Sequence, residues 1–483
     1  MRVLRPALAR VLVFGTSAAV LVIEILAARL LAPYLGVSLE VFTGVIGVIL
    51  AGISLGAWLG GRAADRGAPG RLLGPLLTAG GIAALAAPLV IDTIGPSLST
   101  GPVSVVVAAG AGFFIPAAIL SAVPPVIVKL QLDSLDETGR VVGTYSAIGT
   151  AGAILGTFVT GFVLIAAFPT RPIVVVLGGL LTITGVILWS TRSKWASLSV
   201  LAAVALGLVL LVGDGPCQFE TTYHCAIVEV DETRPTGRTL VLDRVRNSYV
   251  DLADPTYLEF RYIQLIADVI SAEMPDGPLD VVSIGGGGFT MPGYIEATRP
   301  GSDNVVLEID SKLVDIGRDH LTLADTVHVV IDDARISLRD VPAGQADLVI
   351  GDAYSGASVP WHLTTVEFNE QIRRTLEPQG VYVMNVIDYG ELAFVRAEAR
   401  TLETVFDDVV LLAPDDYIAG RSGGNFILVA SDRPLDLDAI EQEIRERGGV
   451  ETGITGSDLA NFIGDSPLLR DDFAPVDQML GRP

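Results

Sequence analysis

The chain has 483 residues, of which 50% are hydrophobic and 18% charged, and its formal net charge is -23. So high a hydrophobic content excludes a disordered chain, and the length predicts more than one domain. The charge is unevenly distributed, because residues 1–213 hold 12 basic and 7 acidic side chains and residues 214–483 hold 20 and 48. This division predicts a membrane domain followed by a water-exposed domain, and the acidic second part argues against nucleic acid as a partner.

The first part of the chain contains seven apolar runs, each long enough to cross a hydrocarbon layer of about 30 Å as a helix. Their small residues suit close helix packing in lipid. The first run is too long for a removable signal peptide and lacks a cleavage site, so we expect it to remain. The runs cover residues 11–31, 41–61, 72–91, 103–128, 142–168, 172–189 and 196–213.

Basic residues in the short connections predict the orientation of these helices, because such residues resist translocation. Arg29 and Arg171 fall on one side, and the other ten fall on the opposite side. We therefore expect a multi-pass protein of the cell membrane with a cytoplasmic N-terminus and, after seven crossings, a second domain outside the cytoplasm. The ten residues are Arg2, Arg5, Arg10, Arg62, Arg66, Arg71, Lys129, Arg140, Arg192 and Lys194.

The two cysteines of the chain, Cys217 and Cys225, both follow the last apolar run. Outside the reducing cytosol they are free to form a disulfide, and the alternative is a pair of unrelated buried thiols. A metal site is not expected, because His224 beside two cysteines does not complete a zinc site. The other histidines, including His362, show no ligand spacing and are assigned to packing or the surface.

The second part of the chain alternates short β-rich segments with helical patterns, which predicts a parallel, doubly wound α/β sheet. A small antiparallel β extension precedes it. We expect domains at 1–213 (membrane), 214–240 (linker and β extension), 241–435 (α/β domain) and 436–483 (acidic segment). The predicted strands are 226–230, 239–242, 280–284, 304–309, 328–331, 347–350, 380–386 and 425–430, and the predicted helices include 313–323, 366–376 and 392–405.

Four predicted strand ends carry residues suited to a nucleotide-like ligand. A strand runs into the glycines at 285–288, Glu308 follows about 20 residues later, and Asp333 and Asp352 come after the next two strands. Glycines permit close approach of the backbone to the ligand, and an acid at the second strand end commonly accepts hydrogen bonds from ribose hydroxyls. Each feature alone also fits a structural turn or a helix cap. Together they predict a cofactor cleft at one sheet edge.

These residues resemble the polyamine aminopropyltransferases, the spermidine synthase family, which have the fold of class I S-adenosylmethionine-dependent methyltransferases. The resemblance covers roughly residues 220–430, and the preceding apolar runs indicate the membrane-fused branch of that family. It rests on the segments 220–223 (ETTY), 239–243 (TLVLD), 257–259 (YLE), 285–288 (GGGG), 307–310 (LEID), 330–333 (VIDD) and 376–380 (LEPQG).

The resemblance implies decarboxylated S-adenosylmethionine, or S-adenosylmethionine itself, as co-substrate. Glu308 would hold its ribose, Asp333 and Ala334 its adenine, and His224 would take the place of a cofactor-contacting Gln. Asp352 matches the proton acceptor of the family. The implied cofactor-binding glycines are Gly285, Gly286 and Gly287.

The implied amine side departs from the family pattern. An acid after the glycine run is replaced by Gly288, a second acid after Asp352 by Ser355, and a His by Leu258. A hydrogen bond to a charged group contributes about 1.5–3 kcal/mol, so these changes indicate a rebuilt amine site. Side chains assigned to the amine substrate, with surface or packing roles as the alternative, are Tyr257, Glu259, Tyr354 and Ser355, with Asp251 and Asp254 as further candidates.

Three functions are compatible with these features. The first is aminopropyl transfer to a small amine with Asp352 as base, and the second is methyl transfer from S-adenosylmethionine to another acceptor. The third is a non-catalytic membrane sensor or transport-coupled module that binds an adenosyl compound or a polyamine, which the predicted external location favours because S-adenosyl compounds are made in the cytosol. The expected partners are the lipid bilayer, a small-molecule acceptor and a second copy in a homodimer.

Overall fold

The computed structural model describes residues 4–98, 101–189, 194–321, 323–356 and 358–481. Arg2 and Arg192, which entered the orientation prediction, lie outside the described residues. The chain divides into two compact units, Met1–Cys225 and Ala226–Pro483. Each unit is described below by itself.

The first unit is a bundle of apolar helices that agree with the predicted runs. Within the described residues, seven helices are long and apolar enough to cross a membrane, with mean hydropathies from 1.8 to 2.4. The predicted helical bundle is thereby confirmed. The helices are α1 (Pro6–Leu35), α2 (Leu39–Arg66), α3 (Pro69–Ser97), α4 (Pro102–Gln131), α5 (Leu135–Ala167), α6 (Thr170–Leu188) and α7 (Trp195–Val212).

Glycines allow several of these helices to touch backbone to backbone. A methyl group added to Gly56 of α2 would overlap the backbone carbonyl of Ala118 in α4. One added to Gly152 of α5 would overlap the carbonyl of Phe14 in α1. Small residues at such crossings let dispersion contacts form along the whole helix, which is how helices associate in lipid.

The segment that follows α7 is closed into a loop by a disulfide and is joined to α1 by an ion pair. Cys217 and Cys225 are bonded to each other, with their Cα atoms 5.1 Å apart. The short strand β1 (Phe219–Glu220) lies between them. Arg29 of α1 pairs with the Glu220 carboxylate at 3.3 Å and donates to the carbonyls of Thr221 and Thr222. A cation at a helix end that finds a carboxylate and backbone carbonyls avoids the cost of an unpaired charge.

The second unit contains an antiparallel sheet and a larger mixed sheet. The antiparallel sheet contains the strands β2 (Cys225–Val230), β3 (Gly237–Leu242) and β4 (Val245–Asp251), each antiparallel to the next. Strand β4 was not predicted. The mixed sheet contains β5 (Asp280–Ile284), β6 (Asp303–Glu308), β7 (His328–Ile331), β8 (Ala346–Gly351), β9 (Leu376–Asp388), β10 (Asp408–Ala413), β11 (Gly424–Ser431) and β12 (Thr452–Thr455).

The order of the mixed sheet is β12-β10-β11-β9-β8-β5-β6-β7. Strands β5 to β9 pair in parallel, whereas β11 is antiparallel to β9, and β10 is antiparallel to both β11 and β12. The helices of this unit are α8 (Arg261–Glu273), α9 (Thr290–Thr298), α10 (Ser311–His320), α11 (Ala334–Ser337), α12 (Val366–Thr375), α13 (Ala393–Val405), α14 (Asp415–Ile418), α15 (Leu437–Glu446), α16 (Gly456–Ile463) and α17 (Val476–Met479).

Both faces of the mixed sheet are buried, which makes it doubly wound as predicted. Neighbouring residues of a strand point to opposite faces. Accordingly, Val281 belongs to the core that contains Ile266 of α8, while Val282 belongs to the core that contains Phe368 of α12. Residues 436–483, predicted as a separate acidic segment, supply α15, β12, α16 and α17, and β12 pairs with β10.

Candidate active site

The predicted site residues follow the carboxyl ends of four parallel strands. Ile284 of β5 is in register with Leu307 of β6 and with Gly351 of β8, and Glu308 is in register with Ile331 of β7. The residues that come next in the chain therefore meet at one edge of the sheet. This edge is where open α/β sheets bind their ligands.

The glycine turn after β5 has a backbone that other residues would distort. Gly285 and Gly287 have φ values of 92° and 50°. A Cβ on Gly285 would lie 2.7 Å from the carbonyl oxygen of Asp352, so the turn and the loop after β8 are in backbone contact. The Gly288 N–H donates to Ser248 Oγ at 2.8 Å, which places β4 beside the turn. The glycines thus permit a close approach that side chains would block.

Glu308 connects the second strand end to the glycine turn. Its Oε2 accepts from the Gly286 N–H at 2.7 Å, and its Oε1 accepts from the Asp310 N–H at 2.8 Å. The residue is only 6% exposed. Each carboxylate oxygen can accept more than one hydrogen bond, so Glu308 keeps acceptor capacity for two neighbouring hydroxyls.

Asp333 lies at the third strand end and contacts His362, which the sequence pattern assigned to packing or the surface. One carboxylate oxygen caps α11 by accepting from the Arg335 N–H at 2.8 Å, and the other lies 2.9 Å from Nε2 of His362. Ala334 is the first residue of α11 and is buried. The Arg335 guanidinium donates to the His362 carbonyl at 2.7 Å, which fixes the loop that carries the imidazole.

Asp352, at the fourth strand end, has both carboxylate oxygens bonded to uncharged donors. Oδ1 accepts from Asn385 Nδ2 at 2.8 Å, and Oδ2 accepts from the Tyr262 hydroxyl at 3.1 Å. Burial raises the pKa of Asp352 to about 6, while these two hydrogen bonds act in the opposite direction. A carboxyl group with a pKa of this size is ionised at neutral pH and is a stronger base than an exposed aspartate.

Two of the residues predicted to bind the amine, Tyr354 and Ser355, lie in the loop after Asp352 and make local contacts. The Tyr354 hydroxyl donates to the Asn385 carbonyl and accepts from the Ile387 N–H, both at 2.9 Å, so it ties the loop after Asp352 to β9. Ser355 is exposed, and its backbone N–H donates to the Ser358 carbonyl at 2.8 Å. These observations assign local structural contacts to both residues, and their role toward an amine stays a prediction.

Tyr257 and Glu259 contact each other on the surface. The Tyr257 hydroxyl donates to Glu259 Oε2 at 2.6 Å, and this hydrogen bond raises the pKa of Tyr257. The Arg234 guanidinium lies 3.7 Å from the centre of the Tyr257 ring. His224 belongs to the first compact unit, where its backbone N–H donates to Thr221 Oγ1 at 2.8 Å, and its cofactor role also stays a prediction.

Four residues near the predicted site were missed by the sequence analysis: Tyr262, His362, Asn385 and Asn425. Asn425 Nδ2 donates to Asn385 Oδ1 at 2.8 Å, which extends the hydrogen-bonded chain from Asp352 into β11. An asparagine within an otherwise apolar strand was the available signal for Asn385, because a buried amide needs partners.

The order of the mixed sheet, the glycine turn after β5 and the carboxylates that follow the next strands are those of an α/β domain of the methyltransferase type. No protein-family model matches the chain. Individual relatives do match, over its C-terminal part.

The chain is similar to the polyamine aminopropyltransferase of Chromobacterium violaceum, with 27% identity over 219 residues, which is 45% of this chain and 80% of the relative. It is 27% identical over 170 residues to the polyamine aminopropyltransferase of Vibrio vulnificus, covering 34% of this chain and 55% of that one. The crystal structure of a probable spermidine synthase from Corynebacterium glutamicum matches with a TM-score of 0.50 and 29% identity, over 55% of this chain and 98% of that one. The second unit is therefore similar to the polyamine aminopropyltransferases in sequence and to a spermidine synthase in fold.

Proposed function

We propose that the second unit transfers an aminopropyl group from decarboxylated S-adenosylmethionine to a small amine, with Asp352 as the proton acceptor. In this reaction the amine nitrogen forms a bond to the carbon next to the sulfonium, the carbon–sulfur bond breaks, and methylthioadenosine leaves. The nitrogen loses a proton as the new bond forms, so a base within hydrogen-bond reach accelerates the step. The observation that carries the proposal is a half-buried, hydrogen-bonded Asp352 in backbone contact with the glycine turn.

The same geometry supports assignments for the donor. Glu308 is held against the glycine turn with its carboxylate at the sheet edge, which suits a ribose diol. Asp333 and Ala334 begin the next helix along that edge and suit the exocyclic amine of adenine. The relatives are named for polyamine aminopropyl transfer, which supports a polyamine or its precursor as acceptor.

Methyl transfer from S-adenosylmethionine is the second candidate, and Gly288 favours it. A Cβ at this position would lie 2.6 Å from Cβ of Ser248, so β4 fills the space where a side chain would begin. An acid that would hold the ammonium of an aminopropyl group is therefore sterically excluded at position 288, and methyl transfer needs none there.

A turnover assay separates the candidates. Purified full-length protein is incubated with decarboxylated S-adenosylmethionine plus putrescine or spermidine, and in parallel with S-adenosylmethionine and the same amines. Methylthioadenosine formed only with the decarboxylated donor supports the proposal, whereas S-adenosylhomocysteine formed from S-adenosylmethionine supports methyl transfer. Absence of turnover with both donors, together with thermal stabilisation by methylthioadenosine, supports a non-catalytic binding module.

The pH dependence of transfer provides a test of the base. Because Asp352 must be ionised to accept a proton and its pKa is about 6, kcat/KM is expected to fall about tenfold for each pH unit below 6. The measurement is a pH–rate profile from pH 4.5 to 8 at saturating donor. An acid limb centred below pH 5, where an exposed aspartate titrates, would contradict the assignment of Asp352.

We further propose that the seven helices cross the cell membrane with the N-terminus in the cytoplasm and the second unit outside it. Cys217 and Cys225 are then accessible from outside as a disulfide. A membrane-impermeant maleimide is expected to label intact cells only after treatment with an impermeant reductant. Labelling that requires cell lysis would place these cysteines in the cytoplasm and reverse the proposed orientation.

A further inference from the structure

Two asparagines on neighbouring strands form a polar pair inside the sheet. Strand β11 runs antiparallel to β9, with Ile427 opposite Asn385 and Asn425 opposite Ile387. Asn385 is 2% exposed and is flanked in β9 by the buried residues Met384 and Val386. Such a buried amide persists when its donors and acceptors are bonded, and this one bonds to Asn425 and to Asp352.

The hydrogen bonds that link Asn425, Asn385 and Asp352 require one orientation of the Asn385 amide. An ionised Asp352 only accepts hydrogen bonds, so Asn385 has to present its NH₂ group to Oδ1 of Asp352. The Asn385 carbonyl oxygen then points away from the carboxylate and requires a donor. Asn425 supplies it through Nδ2 at 2.8 Å. All hydrogen bonds therefore run in one direction, from Asn425 through Asn385 to Asp352.

We propose that Asn425 is a positioning residue for the transfer reaction, which fixes the Asn385 amide so that its NH₂ group holds the Asp352 carboxylate ionised and aimed at the cleft. This inference rests on the proposed function, because it assigns Asn425 a part in the action of the base. Asn425 acts through Asn385. The proposal makes a specific prediction, because a residue at position 425 that only accepts hydrogen bonds would reverse the direction of the hydrogen bonds through Asn385.

Two tyrosines also face Asp352, and the Tyr262 hydroxyl donates to its second carboxylate oxygen. Tyr262 of α8 and Tyr354 of the adjoining loop are its titratable neighbours, and burial with the nearby Asp352 charge raises the pKa of each well above the usual tyrosine range. Both phenols stay neutral at the pH of the reaction. The Asp388 carboxylate, at the end of β9, accepts from the backbone N–H groups of Phe394 and Val395 and faces α13.

The geometry also assigns the direction of proton movement. The Asn385 amide does not give up a proton, and Tyr262 with a raised pKa keeps its own. A proton that arrives on Asp352 during the reaction therefore comes from the attacking amine. It occupies a lone pair of the carboxylate that the two donors leave unused, because each carboxylate oxygen can accept more than one hydrogen bond.

The test is the pH–rate profile of the full-length Asn425→Asp variant. A carboxylate at position 425 has no N–H to donate, so Asn385 has to turn its NH₂ group toward it and its carbonyl toward Asp352. That carbonyl and the added negative charge both oppose ionisation of Asp352. The acid limb of kcat/KM is expected to move up by about one pH unit or more.

Matched controls make the result specific. Asn461→Asp introduces the same change on an exposed position of α16 and is expected to leave the limb unchanged. Thermal stabilisation by methylthioadenosine shows whether each variant is folded. If Asn425→Asp does not fold, Asn425→Ala replaces it, and its limb is expected to move in the same direction by a smaller amount, since it removes the donor without adding charge.

The outcomes separate this inference from the proposed function. The positioning role alone is overturned if the parent protein catalyses the reaction and a folded variant at position 425 shows an unchanged acid limb. An equal shift in Asn461→Asp also overturns it, because the effect would then be one of net charge. A parent protein without turnover overturns the proposed function, and with it the role of Asn425 in that reaction.

Discussion

Replacing Asp352 by asparagine is expected to lower the rate of transfer by about 100-fold to 10,000-fold, the usual contribution of a positioned general base. The amide has the size of the carboxylate but cannot accept the amine proton. It also presents an NH₂ group to Asn385 or to Tyr262, each of which donates to Asp352 in the parent protein. The measurement is single-turnover formation of methylthioadenosine at pH 8, where the parent base is fully ionised.

The matched control for this variant is Asp325→Asn, in the exposed turn before β7. It is expected to retain the parent rate. Thermal stabilisation of Asp352→Asn by methylthioadenosine is expected to persist, because the ribose and adenine contacts proposed here lie on Glu308 and Asp333. A folded Asp352→Asn protein with the parent rate would remove Asp352 from the reaction.

Glu308→Gln is expected to abolish most of the thermal stabilisation that methylthioadenosine gives. The carboxylate accepts from two backbone N–H groups in the free protein, and an amide in its place has one acceptor atom rather than two. Loss of a hydrogen bond to a charged group costs about 1.5–3 kcal/mol, so the affinity is expected to fall by at least about tenfold. A ligand at 100 times its Kd stabilises a folded protein by about 2.7 kcal/mol, which makes the change measurable.

Glu370→Gln, on the exposed face of α12, removes one carboxylate without touching the sheet edge. Its ligand-induced shift is expected to equal that of the parent protein. The temperature of unfolding is recorded for each variant over a range of ligand concentrations. Equal shifts in Glu308→Gln and in the parent protein would exclude Glu308 as a ligand contact.

Much of the architecture could be predicted because burial leaves a strong pattern. The membrane-type helices are continuous apolar runs, and β5 and β7 begin and end at the predicted residues because both are short apolar segments between polar turns. Strand β4 was missed because its first residues, Val245 and Arg246, are exposed and show no clear alternation. Strand β10 is a short apolar run, which periodicity alone does not distinguish from a buried helix.

The site was predictable only where chain order determines position. Residues after parallel strands meet at one edge whatever their separation in sequence, so Glu308 and Asp352 could be placed together. Asn425 reaches Asn385 because β11 enters the sheet antiparallel to β9 with one particular register, and the sequence contains no signal for that register. His362 contacts Asp333 through the fold of a loop, which local patterns do not determine.

The contact between Gly285 and the Asp352 backbone couples the glycine turn to the loop after β8. The Asp352 N–H donates to the Ile284 carbonyl at 3.0 Å, and the Gly285 N–H donates to the Leu307 carbonyl at 2.9 Å. The spacing between Glu308 and Asp352 is thus built into three adjacent strands. A substitution that shifted the backbone of any one of these strands would therefore displace the glycine turn and Asp352 together.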